Sequence, residues 1–561
     1  MHHRYIPAAM SHDSKYLNSA KLIAACTLLS RVTGLARDIV LNHVYGQKWV
    51  QDAFNYGFLI PNLFRRLFGE GALSAIFIPI FTETLDQRGR SAAWTLLGRV
   101  TGLMTVVLVA ITVLLEVGVL LVWHFQPGGA MRELQIGLTA VMLPFMIGIC
   151  LLALFSAILN CLNHFAAPAL MPIVLNIMNM LGVLVVGPML GELLEEQVFG
   201  VAYTVLAAAV IQLIIILPVL RRHGVEFRLS LGLNDPDVRR IGRMFLPVVL
   251  GQGVLLFSVF FDAYICTYLT RGPKAPPSFT LMGHEFAYPL VEGALSAVNN
   301  AQRLYQFPLG VLAISLATAV FPLFSLYASR QDFAGLRSTL GQSMRVAIFE
   351  GVPAAVVLVV LAEPIVSLLF EHGRFGPDAT LRAAWVLKWY AVGIPAFCCQ
   401  HILLRGFYSL KDTLTPMWIG VSLVALNIVL SASLVWHPAI REAAFGISTS
   451  TTAAMHVVVS LWLLRRRLRG LIGGRLIARS AVKTLIGGAI VWMVSLFVFS
   501  WVQDWPIASF GRTGARCVHV FVPLVSAAAA YLLLARILKS EEIDWLLRRR
   551  PVVANEPDPR P

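Results

Sequence analysis

Between Ser30 and Phe81 the chain places Arg31, Arg37, Asp38, Asp52, Arg65, Arg66 and Glu70 in sequence that otherwise has the apolar content of two membrane-spanning helices (SRVTGLARD, then DAFNYGFLIPNLFRRLFGEGALSAIFIPIF). Charges at membrane depth are costly, so they face a bundle interior or a water-filled path and mark function. Arginine offers a permanently charged fork matched to phosphate oxygens, where lysine offers a point charge. The cluster therefore implies a transport cavity for an anionic substrate. On an ideal helix Arg31 and Asp38 share a face, with Arg37 about 120° away. Asp38 is thus placed to hold Arg31 or an arginine of a neighbouring helix. Arg66 and Glu70, four apart, are spaced to pair with each other. Asn62, Asn176 and Asn179 either bond sugar and peptide groups or join helices to one another.

A second group lies in the other half of the chain. Asp262 sits in VFFDAYICTYL, and Asn427 and Thr449 fall on later apolar runs. Oxygen ligands from separate helices suit a sodium ion, and a buried carboxylate suits a proton. Na+ or H+ coupling is the expectation, with no other cofactor. No nucleotide-binding P-loop occurs, so this chain does not itself use ATP. The one D-x-D, Asp235 with Asp237, stands beside a proline in a basic link rather than on a large outer loop, which argues against a glycosyltransferase. The cysteines lack metal-ligand spacing.

These side chains need an all-α, polytopic membrane scaffold. Of 561 residues 57% are hydrophobic and only 13% charged, which excludes ordinary soluble classes. About fourteen apolar spans are predicted, each long enough to cross roughly 30 Å of hydrocarbon. They lie near 18–45, 51–82, 94–123, 134–161, 166–190, 197–220, 240–270, 296–327, 337–362, 381–409, 414–436, 443–464, 476–502 and 513–538. The net charge of +15 resides mostly in alternate short links such as RRRLRG and the run Arg548–Arg550, so topology explains it without nucleic acid as a partner. Basic links inside place both termini in the cytoplasm, with no cleavable signal expected at the start.

The chain also repeats. CLNHFAAPALMPIVLNIMN returns as SLKDTLTPMWIGVSLVALN, and Pro61 and Pro79 find counterparts in Pro308 and Pro322, both pairs about 245 residues apart. An even number of intervening spans makes the halves parallel repeats. The expected organisation is an N-terminal lobe over 1–220 and a C-terminal lobe over 221–464, pseudo-symmetric with six helices each. Two extra helices over 465–538 would form a groove for a lipid tail, followed by a cytoplasmic tail over 539–561.

SRVTGLARD, PNLFRRLFGEGALSAIFIPIF, FAAPALMPIVLNI, LFEHGRFGPD and RGFYSLKDTLTP, in that order, resemble the MurJ (MviN) lipid II flippases of the multidrug and polysaccharide exporter superfamily. The resemblance implies a bacterial inner-membrane flippase for the undecaprenyl-pyrophosphate-linked peptidoglycan precursor, working by alternating access. It implies substrate contacts at Arg31, Arg37, Arg65 and, from AQRLYQFP, Arg303. Here Arg303 is flanked by Gln302 and Gln306 where the family often has acidic residues. Lipid II, membrane lipids and other cell-wall synthesis proteins are the expected partners. The alternatives are an ion-coupled exporter of drugs or other polyprenyl-linked glycans, and a polyprenol-dependent glycosyltransferase. The link from Arg271 to Ala294 is longer than the family pattern suggests.

Overall fold

A computed structural model describes residues 8–68, 73–125, 129–225, 230–232, 234–281, 283–505 and 511–547. Glu70, with its expected pairing to Arg66, and the tail after Leu547 lie outside the described residues. The chain forms two units, Met1–Leu256 with Arg271–Phe286, and Phe257–Thr270 with Ala287–Pro561. The first unit carries α1 (Ala8–Tyr45), α2 (Trp49–Gly57), α3 (Leu59–Leu67), α4 (Leu73–Phe125), α5 (Ala130–Met142), α6 (Phe145–Cys161), α7 (Ala166–Leu181), α8 (Gly187–Leu190) and α9 (Leu194–Arg222). Helix α10 (Pro236–Tyr268) begins in the first unit and ends in the second. The second continues with α11 (Ala294–Leu309), α12 (Ser315–Ser329), α13 (Phe333–Val360), α14 (Ala362–Phe370), α15 (Pro377–Val392), α16 (Ile394–Ser409), α17 (Leu414–Leu434), α18 (Ala443–Arg467), α19 (Gly474–Gln503), α20 (Gly511–Ile537) and α21 (Glu541–Leu547).

Local signals set where these helices stop. Gly46, at φ 64°, closes α1 by donating to Asn42 O at 2.9 Å, a left-handed cap that glycine adopts without strain. Helix α4 runs for 53 residues but is interrupted at Gly89, φ 80°. Unbroken it would reach about 80 Å, far beyond a bilayer core. Asp235 caps α10, accepting from the amides of Asp237 at 2.8 Å and Val238 at 3.2 Å, with Pro236 at the first helical position. The D-x-D is therefore a capping motif, and its second carboxylate pairs with Arg88 at 2.7 Å.

Nine described helices are long and apolar enough to cross a membrane, and two bent pairs bring the figure to eleven. The other three expected ranges are helical as α1, as α2 and α3 with the start of α4, and as α10; the expected fourteen is compatible with this architecture. Among the described residues one hairpin departs from the helical plan. β1 (Ser278–Leu281) pairs with β2 (His284–Ala287) across a turn at Gly283, φ 83°. It occupies the link that the sequence shows as overlong.

The repeat seen in sequence has structural counterparts inside each unit. Helix α6 ends with Asn163 at φ 59° and His164 N donating to Leu159 O at 2.8 Å. Helix α16 ends with Lys411 at φ 59° and Asp412 N donating to Phe407 O at 3.1 Å. Both are the same six-to-one C-cap, formed at matching positions of the two repeats. The spans before them break alike, α5 to α6 by 41° and α15 to α16 by 44°.

In the first unit the interior is aromatic and aliphatic, with Tyr45, Phe77, Phe81, Leu97 and Phe145 fully buried. In the second, α13 packs against α15, α16 and α19, burying Phe349 and Val352. The outside is equally apolar: Leu114, Phe125 and Phe497 are each more than two-thirds exposed. An apolar exterior around a satisfied helical backbone is what hydrocarbon solvent demands.

Candidate functional site

In the first unit the charged positions gather on α1, α2 and α3. Arg37 and Asp38, both half-buried, form an ion pair: Arg37 donates through Nε at 3.0 Å and Nη2 at 2.7 Å to Asp38 Oδ1. Arg37 Nη1 also donates to Asn176 Oδ1 on α7 at 3.2 Å. Asn176 in turn donates to Ser30 O at 3.3 Å and Thr33 Oγ1 at 3.1 Å, fastening α7 along α1. The face shared by Arg31 and Asp38 thus does not decide Asp38's ion-pair partner. The long arginine side chain at 37 wraps the helix and reaches its sequence neighbour first.

Arg31 is exposed on α1 and makes no ion pair with any described residue. Arg65 is half-buried on α3, its Nε bonded to Asn62 Oδ1 at 2.9 Å; Arg66 is half-buried beside it. Asp52 is fully buried on α2, next to Gln51, which donates to Asn42 Oδ1 at 3.2 Å. Asn179 is buried and donates to Leu175 O within its own helix at 2.8 Å, a helix-internal role. Asn42, Gln51 and Thr33 belong to this polar network, although the sequence reading did not single them out. Their signal was a polar side chain recurring in apolar sequence near an arginine.

The second unit joins Asp262, Asn427 and Thr449 in one network. Asp262 is 5% exposed and accepts from Ser431 Oγ at 3.2 Å. Asn427, oriented to satisfy its neighbours, donates to Asp262 Oδ1 at 3.0 Å while its oxygen accepts from Ser448 Oγ and the Thr449 amide, each at 3.2 Å. Ser431 and Ser448 hydroxyls lie 2.7 Å apart and are both fully buried. Ser431, one turn from Asn427 on the same face, and Ser448 are the members that sequence reasoning missed. Arg303 is exposed on α11, and the adjacent Gln302 donates to Tyr390 OH at 3.0 Å.

This second network offers one carboxylate, one amide oxygen and hydroxyls. An all-oxygen set of this kind suits a hard cation, and turning the Asn427 amide over would present its oxygen beside Asp262. Among the described residues no group of three or more His, Cys, Asp or Glu gathers to hold a transition metal.

Comparison with known proteins places these groups in context. The family model described as lipid II flippase MurJ matches residues 41–511. A probable lipid II flippase MurJ of Bdellovibrio bacteriovorus is 31% identical over 556 residues, covering 96% of this chain and 99% of that protein. One of Vibrio cholerae is 30% identical over 547 residues, covering 94% and 98%. Among solved structures, a lipid II flippase MurJ in an inward closed conformation aligns with a TM-score of 0.71 at 19% identity, over 93% of this chain and 99% of that one. An inward-facing multidrug transporter of the MATE family aligns with a TM-score of 0.62 at 14% identity, over 80% and 98%. At those identities the structural likeness is one of fold.

Proposed function

Since the chain belongs to the lipid II flippase MurJ family, we propose that it carries the undecaprenyl-pyrophosphate-linked peptidoglycan precursor across the bacterial cytoplasmic membrane. It acts as a transporter, by alternating access, with both termini in the cytoplasm. The observation that carries the substrate assignment is the first unit's arginine group. Arg31 presents an unpaired fork in an apolar bundle, and Arg37 and Arg65 are steadied by the amide oxygens of Asn176 and Asn62. A pyrophosphate carries at least two charges and rows of oxygens, which arginine forks match two at a time. Arg303 supplies a further fork from the second unit. Asp262 is the coupling carboxylate, with Asn427 and Thr449 completing an oxygen set for Na+ or H+.

The test is translocation of labelled lipid II in proteoliposomes holding wild type, Arg31→Ala or Arg65→Ala, normalised to inserted protein. Each lost arginine should weaken lipid II binding by about ten- to a hundredfold, the equivalent of roughly 1.5–3 kcal/mol of charge-assisted bonding. Lysine at either position should restore only part of it. Well-folded alanine variants with normal binding and flux would remove the arginines from the substrate site.

A further inference from the structure

Helix α18 carries a line of buried polar side chains at every fourth position: Ser448, Thr452, His456 and Ser460, with exposures of 0%, 7%, 4% and 0%. A transmembrane helix gains little from four such residues on its packed side unless they serve something. The line begins in the Asp262 network, where the Ser448 hydroxyl is 2.7 Å from that of Ser431, itself bonded to Asp262. It ends at Ser460, whose Oγ lies 3.2 Å from His456 Nδ1, one turn before the basic end Arg465–Arg467. Four-residue steps advance about 40° each around a helix. The line therefore starts against α17, at Ser431, and drifts until His456 comes within electrostatic reach of His401 on α16. From Ser448 to Ser460 it spans about 18 Å, more than half of a hydrocarbon core of roughly 30 Å.

We propose that this line is a proton path joining the Arg465–Arg467 end of α18 to Asp262, with His456 as its titratable relay. The inference rests on Asp262 being the coupling carboxylate and names the proton as the ion that reaches it. Side chains four apart on a helix have Cβ atoms about 5–6 Å apart, a gap that one water bridges. Imidazole is suited to the relay because one ring nitrogen takes a proton while the other releases one, leaving the ring's charge unchanged after each transfer. A serine or threonine hydroxyl passes a proton likewise, accepting at its oxygen as it gives up its own hydrogen.

The ionisable groups on the helices packed against α18 are few. Helix α16 supplies His401 and, one turn on, Arg405, whose guanidinium sits over the Phe321 ring at 5.2 Å. Helix α17 carries none. Helix α15 offers Lys388 and Tyr390 in this stretch, and Arg382, which is bound to Glu442 at the opposite end of α18. Helix α11 offers Arg303 and Tyr305. No carboxylate other than Asp262 belongs to this set within the membrane stretch, so a proton arriving at His456 has one acceptor to reach.

The experiment traps a pH-sensitive dye inside proteoliposomes of the full chain, imposes a pH step, and records lumenal pH with and without added lipid II. Wild type should show lipid II-dependent proton entry; His456→Gln, which keeps a hydrogen bond but cannot titrate, should slow it at least tenfold. Asp262→Asn should do the same, and Thr452→Val, nearly isosteric, should slow it several-fold even if the histidine variant folds poorly. Loss with Asp262→Asn but wild-type rates with both His456→Gln and Thr452→Val would overturn the path while leaving Asp262 as the coupling group. Loss with His456→Gln alone would overturn the link to Asp262 together with its coupling role. Lipid II flux driven by a sodium gradient with no proton movement in wild type would overturn the path outright.

Discussion

Arg31 and Arg37 lie within two turns of each other, yet their environments set them different tasks. Arg37 is bonded to Asp38 and Asn176, so its removal strands a half-buried carboxylate as well as any substrate. Arg31 has no such partner among the described residues. Arg31→Ala should therefore lose lipid II affinity with an unchanged melting temperature, whereas Arg37→Ala should lose both. Thermal unfolding in detergent beside a lipid II binding assay separates them, and equal destabilisation of the two variants would contradict the assignment. Asp262→Asn makes a complementary prediction. It keeps the shape and the Ser431 contact but removes the charge, so the ion or pH dependence of transport should vanish while lipid II binding stays within about twofold. An unaltered ion response in that variant would exclude Asp262 from coupling.

At the scale of elements, short helix α21 is fastened to α13 and α19 by charge. Arg345 donates to Glu542 Oε1 at 2.7 Å and to Glu541 Oε2 at 2.9 Å, and its guanidinium lies 4.8 Å from the centre of the Trp545 ring. Ser480 Oγ adds a bond to Glu542 Oε1 at 2.7 Å. Burial alone would raise the Glu542 carboxyl, but the Ser480 hydroxyl and the Arg345 guanidinium outweigh it and hold it below its ordinary range. A depressed carboxyl stabilises docking above its unfolded value, near pH 4.3, and that stability fades as the pH falls through the folded value. Helix α21 should thus stay docked at neutral pH and release in acid. Arg345→Ala, which leaves Glu542 buried with one hydroxyl, should cost roughly 3–5 kcal/mol of docking. Hydrogen exchange of the α21 amides should accelerate accordingly at neutral pH; unchanged protection would show that apolar packing of Ile543 suffices.

For the whole molecule, orientation is the open measurement. Glu195 stands at the start of α9, Arg467 at the end of α18, and Asp544 on α21, all exposed. With both termini inside, Arg467→Cys and Asp544→Cys should react with an impermeant thiol reagent only after the cytoplasmic side is opened. Glu195→Cys should react from outside in intact cells; Asp544 and Glu195 reacting on the same side would break the scheme. The span ranges were legible because hydropathy is a local sum that needs no tertiary knowledge. The bends at Pro144 and Gly393 were not, since a run of apolar residues carries no direction. Asp262, Asn427 and Thr449 could be singled out as polar groups in apolar runs. Their hydroxyl neighbours could not, because serine is common in membrane helices and only packing tells which serine turns inward. Asp38's partner was hidden for a similar reason: helical angle fixes where Cβ points, but arginine reaches far beyond it.

Between α7 and α8 the residues Gly182–Val186 form a π turn, and Gly182 and Gly187 press so closely on α9 that a methyl at either would collide with its backbone. A π turn is an α-helix with one residue too many, which gives this segment a history as well as a shape. Deleting Val185 should let the segment relax into unbroken α-helix, turning everything after it by about 100°. Asn176, on the earlier side, would keep its place against α1. Gly187 would swing off the groove beside Gly200 and present a bulkier neighbour there instead. Single-residue deletions here should therefore fail more often than substitutions at the lipid-facing Leu184, a contrast that a deletion scan of this segment, scored by growth, would reveal. Natural variation in the length of this segment would have to be matched by change in α9.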